Sequence, residues 1–242
     1  MLTNSFNDIG GSGTPKTVIA VDGPAASGKG TLAKALATKL GFAYLDTGAV
    51  YRTVAMLTLQ AGGDPSKLED VRPSLDIIRK NLTPEMLTDP GLRTAEVADA
   101  AAVVAQMPEV REAVREYQNT FARNPPGGEP GSVLDGRDIG TVVCPDADIK
   151  FYVTADAEER ARRRFNEWKA RTPGITFDEV LKEINDRDHH DMTRTISPLK
   201  PADDAHVLDT THMNPAQALD AALKIVEGKG TPPGPKAAPP IP

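Results

Sequence analysis

The sequence predicts an α/β sandwich around a parallel, five-stranded sheet. Short apolar runs rich in β-branched residues alternate with longer segments of helical period. The first of these runs ends in a glycine-rich loop that opens a helix. The 242 residues are 39% hydrophobic and 26% charged, which suits a globular chain with a core of its own.

Each element has its own reason. Thr17–Val21 reads as a buried strand ending at Asp22-Gly23. From Gly28 the apolar residues Leu32, Ala35, Leu36 and Leu40 recur at helical spacing, and Gly41 stops the helix. Phe42–Leu45 is the second strand, followed by a helix over 49–61. Residues 64–126 read as mostly helical, broken at Pro65, Pro73, Pro84, Pro90 and Pro108. The run from Asn124 to Gly131 is a Pro- and Gly-rich loop. Three more strands follow at Ser132–Asp135, Asp148–Thr154 and Ala205–Asp209. Between the last two, Asp156 and Glu159 mark a helix start. Thr176 and Glu179 form a capping box there, with Ile175 and Val180 as a hydrophobic staple. A helix over Pro215–Glu227 closes the domain, which spans 16–227. Residues 1–15 read as a flexible leader and the Pro-rich 228–242 as a disordered tail.

Composition excludes several functions. A net charge of −6 argues against a dedicated nucleic-acid binder. No apolar run approaches the ~18 residues of a membrane span. The polar N-terminus carries no secretory signal, so a cytoplasmic protein is expected. The single cysteine, Cys144, excludes an intramolecular disulfide and a Cys-based zinc site, and reads as a small buried hydrophobe.

Three constellations carry chemistry. The first is the loop Gly23, Pro24, Ala25, Ala26, Ser27, Gly28, Lys29, Gly30, Thr31. A G-x-x-x-x-G-K match between strand and helix is a P-loop, whose backbone N–H groups and helix N-terminus cradle phosphates. Lys29 adds a full charge on the β- and γ-phosphates. The hydroxyl that usually follows the lysine is displaced to Thr31, so a magnesium ion needs phosphates, waters and another acid. The second is an arginine-rich segment over 156–195 in an otherwise acidic chain. Arg160, Arg163 and Arg164 share one helix face, and so do Arg187, Asp191 and Arg194. Like charges so placed repel unless an anion sits among them, and such arginines stabilise phosphoryl transfer. Trp168 reads as packing for this segment, and His189 and His190 as surface residues. The third is Asp135-Gly-Arg137-Asp138 at the C-terminal end of a buried strand, where open α/β sheets bind ligands. Asp135 is placed to hold the waters of a magnesium ion.

Taken together, these stretches resemble the bacterial cytidylate kinases from about Lys16 to Glu227. The matching segments are Asp22–Thr31, Leu45–Arg52, Arg93–Val97, Pro108–Arg111, Asp135–Val143, Arg187–Arg194 and Ser197–Leu199. The Gly-Lys-Gly-Thr form of the loop is that of nucleoside monophosphate kinases. The resemblance implies a helical subdomain for the nucleoside monophosphate over 64–126, a helical lid over 156–195, and transfer of phosphate from ATP to CMP or dCMP with Mg²⁺. A monomer is expected. By resemblance Gly23 to Thr31 bind ATP, and Thr47 and Tyr51 line the acceptor pocket. Arg52, Arg137 and Arg194 hold the CMP phosphate, Arg111 and Asp138 read the cytosine, and Arg187 and Asp191 contact the ribose. Ala102 departs from the family, which usually has a base-contacting serine there, and the short stretch 75–92 implies a trimmed CMP subdomain. A UMP/CMP or other small-molecule P-loop kinase is the competing enzyme. A nucleotide switch without turnover is the competing class.

Overall fold

A computed structural model describes residues 16–170 and 172–228. The expected leader and nearly all of the expected tail lie outside these residues. All five expected strands form: β1 (Thr17–Asp22), β2 (Ala43–Asp46), β3 (Gly131–Gly136), β4 (Ile149–Thr154) and β5 (His206–Asp209). They make one parallel sheet in the order β2-β3-β1-β4-β5.

The two-residue period of a strand sends alternate side chains to opposite faces. Ile19, Val21 and Val133 pack on one side with α1 (Lys29–Leu40) and α9 (Pro215–Glu227), through Leu32, Leu36, Ala218 and Ala222. Ala20 and Leu134 face the other side, where Val50 and Val54 of α2 (Thr47–Gln60) meet them. That second cluster continues into α3 (Leu68–Asn81), α4 (Pro84–Thr88), α5 (Ala95–Val104) and α6 (Pro108–Arg123). The three layers are therefore helix, sheet and helix. Cys144 is free and buried in the second cluster, as its sequence context suggests.

Prolines punctuate the helical segment as expected, with one correction. Pro84 and Pro108 open α4 and α6, and Pro90 opens a 3₁₀ turn at Pro90–Arg93. Pro73 does not break its helix; it lies inside α3. It forfeits one backbone bond in the second turn, and the buried stripe Val71, Leu75 and Ile78 holds the helix in place.

The arginine-rich segment forms α7 (Ala157–Trp168) and α8 (Phe177–Thr193), which pack on each other. The capping box at Thr176 and Glu179 is complete. Val180, Ile184 and Ala161 bury against Ala25 of the phosphate loop, with Ile175 and Trp168 alongside. Trp168 is packing, and the Arg164 guanidinium lies 4.3 Å from its ring centre. Among the described residues no helix is long and apolar enough to cross a membrane.

The site is positioned by topology. The chain leaves β1 toward β2 on one side and leaves β3 toward β4 on the other, although β1 and β3 are neighbours. A crevice opens beyond the C-terminal ends of such a strand pair. Val21 pairs with Asp135 across it.

Candidate active site

Gly23–Thr31 joins β1 to α1 at that crevice. Gly28 caps α1 in the left-handed region, with φ 86°. Lys29, the first residue of α1, turns its ammonium back over the loop. Its Nζ is 3.4 Å from the Pro24 carbonyl oxygen and 3.8 Å from Asp135 Oδ1. Burial lowers the Lys29 pKa to about 8; Arg137 acts in the same direction and Asp135 opposes. Burial also raises the Asp135 carboxyl, with Lys29 opposing. Asp135 Oδ1 is buried without a hydrogen-bond partner among the described residues. A hydrated divalent cation would satisfy it. No group of three or more His, Cys, Asp or Glu stands together among the described residues; a cation held by Asp135 would draw its other ligands from phosphate and water.

The missing hydroxyl after Lys29 has a spatial reason. A Cβ on Gly30 would lie 2.8 Å from Asp135 Oδ2. The carboxylate stands where a side chain would grow, so glycine at 30 and aspartate at 135 are one arrangement. Tyr44 of β2 borders the same spot, its phenol pKa raised by burial and by the charge of Asp135.

Beyond β3 the chain turns through Gly136–Asp138 into a single π-helical turn at Ile139–Val143. Asp22, at the end of β1, fixes this turn. Its two carboxylate oxygens accept from the N–H groups of Ile139 (2.9 Å) and Gly140 (2.7 Å). Arg137 is thereby aimed toward α8, where its Nε donates to Asp191 Oδ2 at 3.0 Å. Asp191 also faces Arg194 at 3.7 Å, and Arg194 Nε donates to the Ser197 carbonyl at 2.7 Å. Asp138 takes the other direction and pairs with Arg111 of α6 at 2.7 Å. Tyr51 lies beside this pair and Arg194, and burial raises its hydroxyl pKa.

The turn, α2, α6 and α8 thus bring Arg137, Asp138, Arg111, Arg194 and Tyr51 into one cationic basin. Arg52, also on α2, is held by Asp46 at 2.7 Å. The Thr47 hydroxyl donates to the Asp135 carbonyl at 2.7 Å, tying α2 to β3. Arg187 is exposed and forms no ion pair with another described residue. Ala102 is exposed on α5.

The comparison with known families decides among the enzymes such a site could serve. The model of the cytidylate kinase family matches residues 19–228. The chain belongs to the cytidylate kinase family. Cytidylate kinase of Rhodospirillum rubrum is 50% identical over 212 residues, covering 88% of this chain and 98% of that one. That of Paramagnetospirillum magneticum is 50% identical over 213 residues, covering 88% and 99%. That of Granulibacter bethesdensis is 47% identical over 214 residues, covering 88% and 98%.

In this member of the cytidylate kinase family each arginine of α7 has partners within the chain. Arg160 is the most enclosed of them. It is buried, its Nε donates to the Ala155 carbonyl at 2.8 Å, and its Nη1 pairs with Asp188 at 2.6 Å. Arg163 is occupied by Glu159 and by Thr210. Arg164 pairs with Glu183 at 3.4 Å and stacks on Trp168. The like-charge repulsion read from their spacing is relieved by these partners. The expected start of α2 at residue 49 also moves, to Thr47, because Asp46 caps the helix by accepting from the Ala49 N–H at 3.1 Å. An aspartate just before a helix was signal enough to find it. Asp22, Tyr44, Asp188 and Thr210 carry no such local signal.

The lowered Lys29 pKa has a measurable consequence. With Lys29 read as the phosphate-binding cation, its charged form is the active one, present well below about 8 and lost as pH rises through that value. kcat/KM, which reports the free enzyme, is expected to fall about tenfold per pH unit above that point. Bound phosphates hold the proton more tightly, so the limb on kcat lies at higher pH. A pH–rate profile at saturating and limiting ATP checks both limbs. A kcat/KM flat to pH 10 would contradict the assignment.

Proposed function

We propose that this chain transfers the γ-phosphate of ATP to CMP or dCMP, giving ADP and CDP or dCDP. The observation that carries this reading is the Arg111–Asp138 pair, with Arg137 and Arg194 gathered on Asp191 in the same basin. A guanidinium and a carboxylate side by side match the edge of cytosine, and the neighbouring arginines match a phosphate. In this reading Gly23 to Thr31 bind ATP and Lys29 meets the charge of the transferring group. Arg52, Arg137 and Arg194 take the acceptor phosphate, with Asp191 holding two of them in place. Arg187 and Asp191 reach the ribose, and Thr47 and Tyr51 shape the pocket wall. Arg163 and Arg164 act from the lid side. Asp135 holds Mg²⁺ through water; the ion, when bound, shields the phosphate oxygens from the nucleophile. The protein works as a soluble monomer.

The test is ADP release with ATP and each of CMP, dCMP, UMP, AMP and GMP. Turnover is expected with CMP and dCMP at kcat/KM at least about 100-fold above the rest. Equal use of UMP would move the reading to a UMP/CMP kinase. ATP binding without turnover on any acceptor would move it to a nucleotide switch.

A further inference from the structure

We propose that the buried Arg160–Asp188 pair is a positioning link, through which a residue on the acceptor helix α8 sets the shape of the ATP-binding loop. The inference rests on the loop being the ATP site, as argued above.

The guanidinium of Arg160 reaches three elements. Its Nε donates to the Ala155 carbonyl where β4 ends. Its Nη1 donates to the Ala25 carbonyl of the phosphate loop at 3.3 Å and pairs with Asp188 Oδ2 at 2.6 Å. The side chains of Arg160 and Asp188 are 7% and 11% exposed, so water does little to screen the pair. In a trans peptide the carbonyl and the following N–H point in opposite directions. Holding the Ala25 carbonyl toward α7 therefore turns the Ala26 N–H to the opposite side. Ala26 sits at φ 59°, a conformation that a residue with a Cβ adopts only when its surroundings impose it. The bond from Arg160 to the adjacent carbonyl is such a constraint.

A second hold acts two residues on. The Thr210 hydroxyl donates to the Ser27 carbonyl at 2.9 Å, and Arg163 donates to both the hydroxyl (3.1 Å) and the carbonyl (2.6 Å) of Thr210. The same peptide argument turns the Gly28 N–H. Two carbonyls of the loop are thus held from outside, one directly by Arg160 and the other by Thr210, which Arg163 in turn fixes.

Asp188 decides whether Arg160 can do this. It lies between Arg187 and Asp191 on α8, yet it points away from the acceptor basin and into α7. Its Oδ1 is buried without a partner among the described residues, so Arg160 is the group that compensates its charge. Neutralising Asp188 leaves a buried guanidinium free to turn away from Ala25.

The experiment measures Kd for ATP and for CMP separately, by calorimetry, on the full chain and on Asp188→Asn, Asp188→Glu and Arg160→Lys. Asp188→Asn is expected to weaken ATP binding about tenfold while CMP binding stays within about twofold of wild type. Asp188→Glu, which keeps the charge, recovers most of the loss. A residue serving only to stabilise α8 would weaken CMP at least as much as ATP, and that result overturns the proposal. Unchanged ATP affinity in Asp188→Asn overturns it too. Should Asp188→Asn fail to fold, Arg160→Lys decides alone: it keeps the charge but loses the fork, and unchanged ATP affinity overturns the link. Wild type that binds ATP but not CMP refutes the acceptor assignment and leaves the ATP arm readable. Wild type that does not bind ATP overturns both.

Discussion

Lys29→Ala is expected to lower kcat by at least about 100-fold and to leave the affinity for CMP nearly unchanged. Lys29 starts α1, so its ammonium is held by a helix rather than by a mobile loop. The Pro24 carbonyl and Asp135 fix its direction from two sides. A charge desolvated and oriented in this way before reaction stabilises the transferring phosphoryl group more than the ground state. The arginines proposed to take the acceptor phosphate lie on other elements, which is why CMP affinity is expected to be spared. The substitution also strips Asp135 of its cation. Breaking a buried pair costs about 3–5 kcal/mol of stability, so the melting temperature is measured alongside. Lys29→Met, which keeps the stem, separates packing from charge. A folded variant with near-normal kcat would show that the loop is not the donor site.

Asp138→Ala is expected to lower kcat/KM for CMP by about 100-fold or more and to narrow the CMP-to-UMP ratio. The edge of cytosine offers an amino donor at N4 and acceptors at N3 and O2. A carboxylate accepts from the first and a guanidinium donates to the others. Uracil reverses two of these groups, so both contacts turn repulsive and the desolvated polar groups facing the base lose their partners on it. Asp138 and Arg111 lie 2.7 Å apart, side chains 13% and 14% exposed, which makes such mismatches costly. Asp138→Asn is expected to narrow the ratio as well, because an amide can turn and donate to O4. Ala102 offers no hydroxyl to share the reading, so the burden on Asp138 is large. Steady-state kinetics with both acceptors check this. Retention of the wild-type CMP-to-UMP preference in both variants would place base reading elsewhere.

Much of the fold was legible because its signals are local. Five apolar runs gave five strands, each end within one residue. The capping box at Thr176 and the Pro–Glu limits of the last helix were read to the residue. Where local reading failed, a longer-range term outweighed it. Proline propensity argued for a break at Pro73, and the burial of Val71, Leu75 and Ile78 outweighed it. The start of α2 was a local signal overlooked, since Asp46 is an ordinary N-cap.

The sequence by itself determined the alternating layers, the P-loop and the group of residues that meet at the strand ends, and its motifs resembled those of one family. These depend on periodicity and on short motifs, which a chain carries whatever its neighbours. Only the tertiary structure decided which charge answers which. Arg160, Arg163 and Arg164 share a helix face in the sequence, yet Asp188, Thr210 and Glu183 draw them to three separate tasks. Gly30 looked like a departure from a motif until Asp135, over a hundred residues away, was found in the space its side chain would need. The physical reason is that Coulomb energy and steric exclusion depend on distance in space. Partners brought together by the sheet from remote segments leave no mark at a fixed spacing along the chain.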